Sequence, residues 1–153
     1  MLPATTYRVT ENTDATVNER IQRQTERNVA HFADLGERAI NRRLAELDRE
    51  WDIERCLEAM ASTFSLTGLG LAVTVSRKWL ALPIFVQSFF LQHALQGWCP
   101  PIPPLRRLGV RTASEIEEER FALKALRGDF DTLADATAYD GNRGAEALAA
   151  ARK

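Results

Sequence analysis

The sequence predicts an all-α fold, a transmembrane helical hairpin flanked by cytoplasmic amphipathic helices. Three observations lead there. Residues 59–105 carry only two charged side chains, Arg77 and Lys78, whereas the other 106 residues of this 153-residue chain carry 39. Those two charges divide the stretch into charge-free runs of 18 and 27 residues, 59–76 and 79–105, each close to or above the roughly 20 residues that cross a bilayer. On both sides the apolar residues recur at three- and four-residue spacing, the helical period. The chain averages conceal this sorting. A composition of 45% hydrophobic and 27% charged residues with net charge −1 would suit an ordinary soluble domain. The net charge is −3 before residue 59, +2 across 59–105 and 0 after it. With no basic excess to neutralise phosphates, no nucleic acid is expected as a partner.

Residues 1–14 read as a flexible N-terminus. They lack the basic start and apolar run of a signal peptide, and neither end shows a lipidation motif. Residues 15–50 read as a charged amphipathic helix. Val17, Ile21, Val29 and Phe32 form a loose stripe, and Ile40, Leu44, Leu47 and Trp51 follow at four-three-four spacing. Gly36 within Asp34-x-x-Glu37 predicts a break or kink near residue 36. So narrow a seam suits a coiled-coil contact with a protein partner or docking on a membrane surface.

The two spans are placed at about 57–76 and 79–99. Trp79 and Trp98 lie 19 residues apart, about 28 Å of helix, which is close to the hydrocarbon thickness. Tryptophan favours both interfaces, so Trp51, Trp79 and Trp98 are the expected anchors. A pair of buried helices in a soluble protein is the competing reading, since both runs carry polar residues. Ala61, Ser65, Gly68 and Ala72 give the first span a face of small side chains that allows a close helix neighbour. Ser88, Gln92 and Gln96, with His93 beside them, form a polar stripe that should turn from the acyl chains towards the first helix, a second copy or water. Two helices enclose little, so a homo-oligomer is expected. Arg42, Arg43, Arg49 and Arg55 precede the first span, and Arg106, Arg107, Arg111, Arg120 and Lys124 follow the second. The positive-inside bias therefore puts both termini in the cytoplasm.

Pro100, Pro101, Pro103 and Pro104 should turn the chain sharply after the second span. A capping box at Thr112-x-x-Glu115 or Ser114-x-x-Glu117 opens a short amphipathic helix over 113–128, stopped by Gly128. The Ala/Asp/Gly-rich residues 129–153 read as a mobile or weakly helical tail.

The chemistry-bearing residues are few. No Ser/His/Asp grouping, phosphate-binding glycine loop or paired-histidine metal motif is present, so no catalytic residue, metal or cofactor is assigned and the chain is not read as an enzyme. His93 reads as a hydrogen-bonded packing residue, because neither span holds a carboxylate. Cys56 and Cys99 are the candidate reactive thiols, with Arg106 and Arg107 near enough in sequence to Cys99 to lower its pKa.

Gly97-Trp98-Cys99-Pro100, followed by Leu105 and Leu108-Gly109-Val110 with Thr112, resembles the closing signature of the YgaP-like inner-membrane domain. That is a family of bacterial two-helix membrane domains found alone or fused to a rhodanese. Glu54-Arg55 resembles the start of the domain, and the Gly68/Gly70 region its glycine-containing first helix, so the resemblance covers about residues 51–112. The Pro-Ile-Pro-Pro segment lengthens the link to Leu108-Gly109, and Glu58 stands where many members carry a second basic residue. Cys56 is followed by Leu57-Glu58-Ala59 rather than an anion-cradling loop, so no rhodanese is present. The resemblance implies a bacterial inner-membrane location and dimerisation, and no chemistry for a stand-alone member. Three functions are consistent with these residues. They are an oligomeric membrane anchor or interaction scaffold, thiol-based sulfur or redox handling through Cys99, and a small oligomeric pore lined by Ser88, Gln92, His93 and Gln96.

Overall fold

The computed structural model describes residues 4–131 and 143–152, and every regular element among them is helical. In chain order these are α1 (Arg8–Glu11), α2 (Ala15–Leu35), α3 (Glu37–Leu47), α4 (Ile53–Thr74), a 3₁₀ turn (Arg77–Leu80), α5 (Ala81–Gln96), α6 (Ile102–Arg107), α7 (Ala113–Arg127) and α8 (Arg143–Arg152). They form two compact units. One comprises Met1–Gln22 with Trp51–Ser114, the other Arg23–Glu50 with Glu115–Lys153.

The first unit is built on an antiparallel hairpin of α4 and α5. Asp52 caps α4 by accepting from the Arg55 backbone N–H at 2.7 Å. The charge-free part of the helix then runs to Thr74. α4 is the one helix among the described residues that is long and apolar enough to cross a membrane. Only 22% of its most apolar 18-residue stretch is buried. Pro83, in the first turn of α5, lacks a backbone N–H that would have no helical acceptor there, so it is tolerated. Gly97 ends α5 in the left-handed region at φ 76°. α5 thus has 16 residues, shorter than the span expected over 79–99, because the chain before it winds as a 3₁₀ turn and Gly97 stops it.

The helices touch along the small-residue face of α4. Ala61 and Gly68 are buried and Ser65 accepts a hydrogen bond from Gln87 at 2.9 Å. A Cβ on Gly68 would stand 2.5 Å from Pro83 Cδ, so only glycine fits there. Ile53, Leu57, Cys99, Ile102 and Val9 form the core at the open end of the hairpin, with Phe89, Phe90, Leu105 and Val110 packed on it. Val9 corrects the expectation of a flexible 1–14 segment. Residues 8–11 are helical and Val9 is only 3% exposed, because an apolar side chain there fills the space between Ile53 and Ile102. Pro100 and Pro101 form the expected turn. α6 then begins at Ile102 with Pro103 and Pro104 in its first turn, where the helix has donors to spare.

In the second unit the expected break falls at Gly36, φ 80°, between α2 and α3. Ile40, Leu44 and Leu47 pack with Ile116 and Leu123 of α7, and Phe32 covers them. Glu119 is fully buried and accepts from Arg43 at 2.8 Å; Arg43 also reaches Glu46 and lies 5.9 Å over the Phe32 ring. Of the mobile or weakly helical alternatives for the tail, the part described at 143–152 is helical. α8 buries Ala150, and Ala151 accepts from Lys124 Nζ at 2.7 Å. The part of that expectation covering 132–142 lies outside the described residues.

Candidate functional site

Three elements of the first unit meet at one carboxylate. Glu54, on the first turn of α4 before its charge-free run, accepts from Arg8 of α1 at 2.7 Å through Oε1. Its Oε2 lies 2.6 Å from His93 Nε2, on the last turn of α5. An ionised carboxylate has no proton to give, so Nε2 carries the hydrogen and donates. His93 is 1% exposed and stacks beside Phe90 with ring centroids 6.3 Å apart. Its Nδ1 is buried without a hydrogen-bond partner. The hydrogen bond from His93 is the largest influence holding the Glu54 carboxyl below its usual range; partial burial opposes it and Arg8 assists. Around this cluster, Asn12 Nδ2 donates to the Gln96 carbonyl at 3.0 Å, and the Arg8 backbone lies so near Gly97 that a Cβ there would stand 2.3 Å from its carbonyl oxygen.

The expectation for His93 is therefore corrected in one respect. The spans contain no carboxylate, but the first turn of α4 supplies one, and its side chain reaches His93 on the last turn of α5. The cluster ties α1 to both helices of the hairpin. Each oxygen of its carboxylate is engaged by one donor. Among the described residues no group of three His, Cys, Asp or Glu side chains could hold a metal ion.

Ser88, Gln92 and Gln96 keep one face of α5, and His93 leaves it. His93 points inward, Ser88 and Gln96 are exposed, Gln92 is half-buried, and the Ser88 hydroxyl donates to its own helix at Ile84. No lining for a pore is assembled within the chain. Cys56 is half-buried and Cys99 buried, and neither is in a disulfide. Cys99 lies beyond the end of α5, and burial pushes its thiol up to about 11, the reverse of activation. Arg106 lowers nothing there, because it is buried against other partners, donating to Asn18 Oδ1 at 2.8 Å and to the Val110 carbonyl at 3.0 Å. Of the remaining motif residues, Trp98 is half-buried, Pro100, Leu108 and Gly109 are exposed, and Gly109 takes φ 90°. Trp51 is 48% exposed and Trp79 42%; the helix carrying Leu47 ends before Trp51, whose ring stacks under Arg55 at 4.4 Å.

The largest feature of the unit is its surface. Of the 18 exposed large hydrophobic side chains among the described residues, 11 lie between Phe64 and Leu95, around the outside of the hairpin. An apolar groove of about 180 Å³ opens between α4 and α5, lined by Leu57, Phe64, Phe85, Phe89, Pro100 and their neighbours. On the same surface Thr63, Thr67 and Thr74 each donate to the carbonyl four residues back, so these exposed hydroxyls are satisfied without water. No protein-family model, curated protein or solved structure matches the chain.

Proposed function

We propose that the chain is a small integral membrane protein of the bacterial inner membrane. In this reading α4 and α5 cross the bilayer as a hairpin, and the charged helices form a cytoplasmic anchor or interaction scaffold. The observation that carries it is the exposed apolar surface of the hairpin. On α4, Leu66 is 69% exposed and Val73 89% on one side and Phe64 48% on nearly the opposite side; on α5, Ile84 is 67% exposed and Leu91 61% on one side and Phe85 63% on another. A soluble core helix hides such a stripe, whereas a lipid-facing helix presents it all round. Residues 79–96, two of 3₁₀ rise and sixteen of α, span about 28 Å, near the hydrocarbon thickness. The bilayer, a second copy and a protein bound through the N-terminal helix are the partners of this reading. Burial of Cys99 and the withdrawal of His93 from the polar stripe favour the scaffold over thiol chemistry or a pore.

Orientation follows from the arginines on both flanks. In intact cells a membrane-impermeant maleimide should label Lys78→Cys in the turn and spare Arg49→Cys before the first span. Labelling of Arg49→Cys alone would reverse the orientation, and equal labelling of both would contradict the crossing.

A further inference from the structure

Helix α6 is built inside out. Its inward face carries Ile102 and Arg106, both 0% exposed, with the arginine held by Asn18 and the Val110 carbonyl. Its outward face carries Pro100 just before it, Pro104, and Leu108 just after it, at four-residue spacing, all exposed and Leu108 81% so. A helix facing water would turn the arginine out and the leucine in. The apolar face is also continuous with the hairpin surface, because Pro100 lines the same groove as Phe64 and Phe85. Cationic groups flank it. Arg107 is exposed, and exposed Arg20 donates to the Arg107 carbonyl at 2.7 Å, which brings two guanidinium-bearing residues together beside Leu108. Asp14 is close enough to feel Arg107, and its carboxylate is engaged by Thr16.

We propose that α6 is an interfacial foot. Pro104 and Leu108 enter the headgroup region of the cytoplasmic leaflet, and Arg107 and Arg20 engage the phosphates of anionic phospholipid. The inference rests on the membrane reading of the hairpin and adds a lipid-composition requirement to it. Apolar side chains with flanking basic groups are what an anionic interface selects.

The test uses the full chain with Cys56→Ser and Cys99→Ser, carrying one environment-sensitive fluorophore at Leu108→Cys or, as a reference on the hairpin, at Leu66→Cys. Vesicles are phosphatidylcholine with or without phosphatidylglycerol, each prepared with and without nitroxide-bearing lipid. Position 66 should be quenched by the nitroxide lipid in both compositions. Position 108 should be quenched by it and shielded severalfold from aqueous iodide when phosphatidylglycerol is present. Arg20→Gln and Arg107→Gln should each shift the seated population back by about fivefold. If position 66 is quenched by lipid while position 108 stays open to iodide, the foot is refuted and the hairpin stands. If neither is quenched, both fall. Shielding of position 108 that is indifferent to phosphatidylglycerol and to both arginine changes would overturn the role given to anionic lipid.

Discussion

Gly68 and Gly70 lie two residues apart on α4 and differ in what surrounds them. A Cβ on Gly68 would meet Pro83 Cδ at 2.5 Å, Leu82 Cβ at 3.2 Å and the Trp79 carbonyl oxygen at 3.3 Å, whereas a Cβ on Gly70 meets nothing within 4 Å. The proline ring cannot swing aside as a flexible side chain would, so Gly68→Ala must push α4 and α5 apart. Overpacking of this kind costs about 1–3 kcal/mol. Both alanines gain the same helix propensity, up to about 1 kcal/mol. The propensity gain cancels in the comparison, and the difference between the variants reports the steric contact alone. Thermal unfolding followed by circular dichroism in one detergent should place Gly68→Ala below Gly70→Ala by several degrees, since about 1 kcal/mol moves the midpoint of a domain of this size by roughly 2–8 °C. Gly70→Ala should equal or exceed the parent. Coincident midpoints for the two alanine variants would refute the close α4–α5 contact and the pairing register with it.

Three further outcomes follow from the open end of the hairpin. Gly97→Ala places a Cβ 2.3 Å from the Arg8 carbonyl oxygen at a positive φ, so it should cost at least about 2 kcal/mol and detach α1, read as faster labelling of Cys99. Glu54→Gln should destabilise the unit by about 1–3 kcal/mol, because it weakens the hydrogen bonds from Arg8 and His93. The Glu54 carboxyl ionises below its usual value of 4.5 when folded, so its contribution is complete above that pH and is lost as pH falls through the lower folded value. The acid limb of a stability–pH curve should therefore flatten in Glu54→Gln; an unchanged limb would contradict the pairing. With its thiol pushed up to about 11 and only 3% exposed, Cys99 should resist alkylation in the parent chain between about pH 6 and 9. Rapid alkylation there would revive a thiol function.

What could be read from the residues divides along a physical line. Local signals carried far. The charge-free runs, the Gly36 break and the apolar residues Ile40, Leu44 and Leu47 are each a matter of neighbours in sequence, and each has a counterpart in α4, α3 and their packing. Contacts between distant segments were less legible. Val9 sits in a short polar stretch whose composition suggests a flexible end, and only the space beside Ile53 and Ile102 gives it a place. The Arg8–Glu54–His93 cluster was missed because the carboxylate was sought within the spans. The available signal was antiparallel register: residues equally far from the turn at 75–76 face each other, as Ser65 does Gln87 and Gly68 does Pro83. Carried to the helix ends, that register sets Glu54 level with residues 97–98, one helical turn beyond His93, so it brings the two within side-chain reach without pairing them directly. Cys99 looked open to activation from the arginines beside it in sequence, yet Arg106 turns inward to Asn18 and leaves the thiol in an apolar core.

The central claim is that an apolar hairpin lies in lipid with its large side chains facing outward. Alkaline carbonate extraction of membranes containing the full chain tests it most directly, because it strips proteins held by charge and leaves those held by buried apolar surface. The chain should stay in the membrane pellet and be released only by detergent; its recovery in the carbonate supernatant would contradict the account.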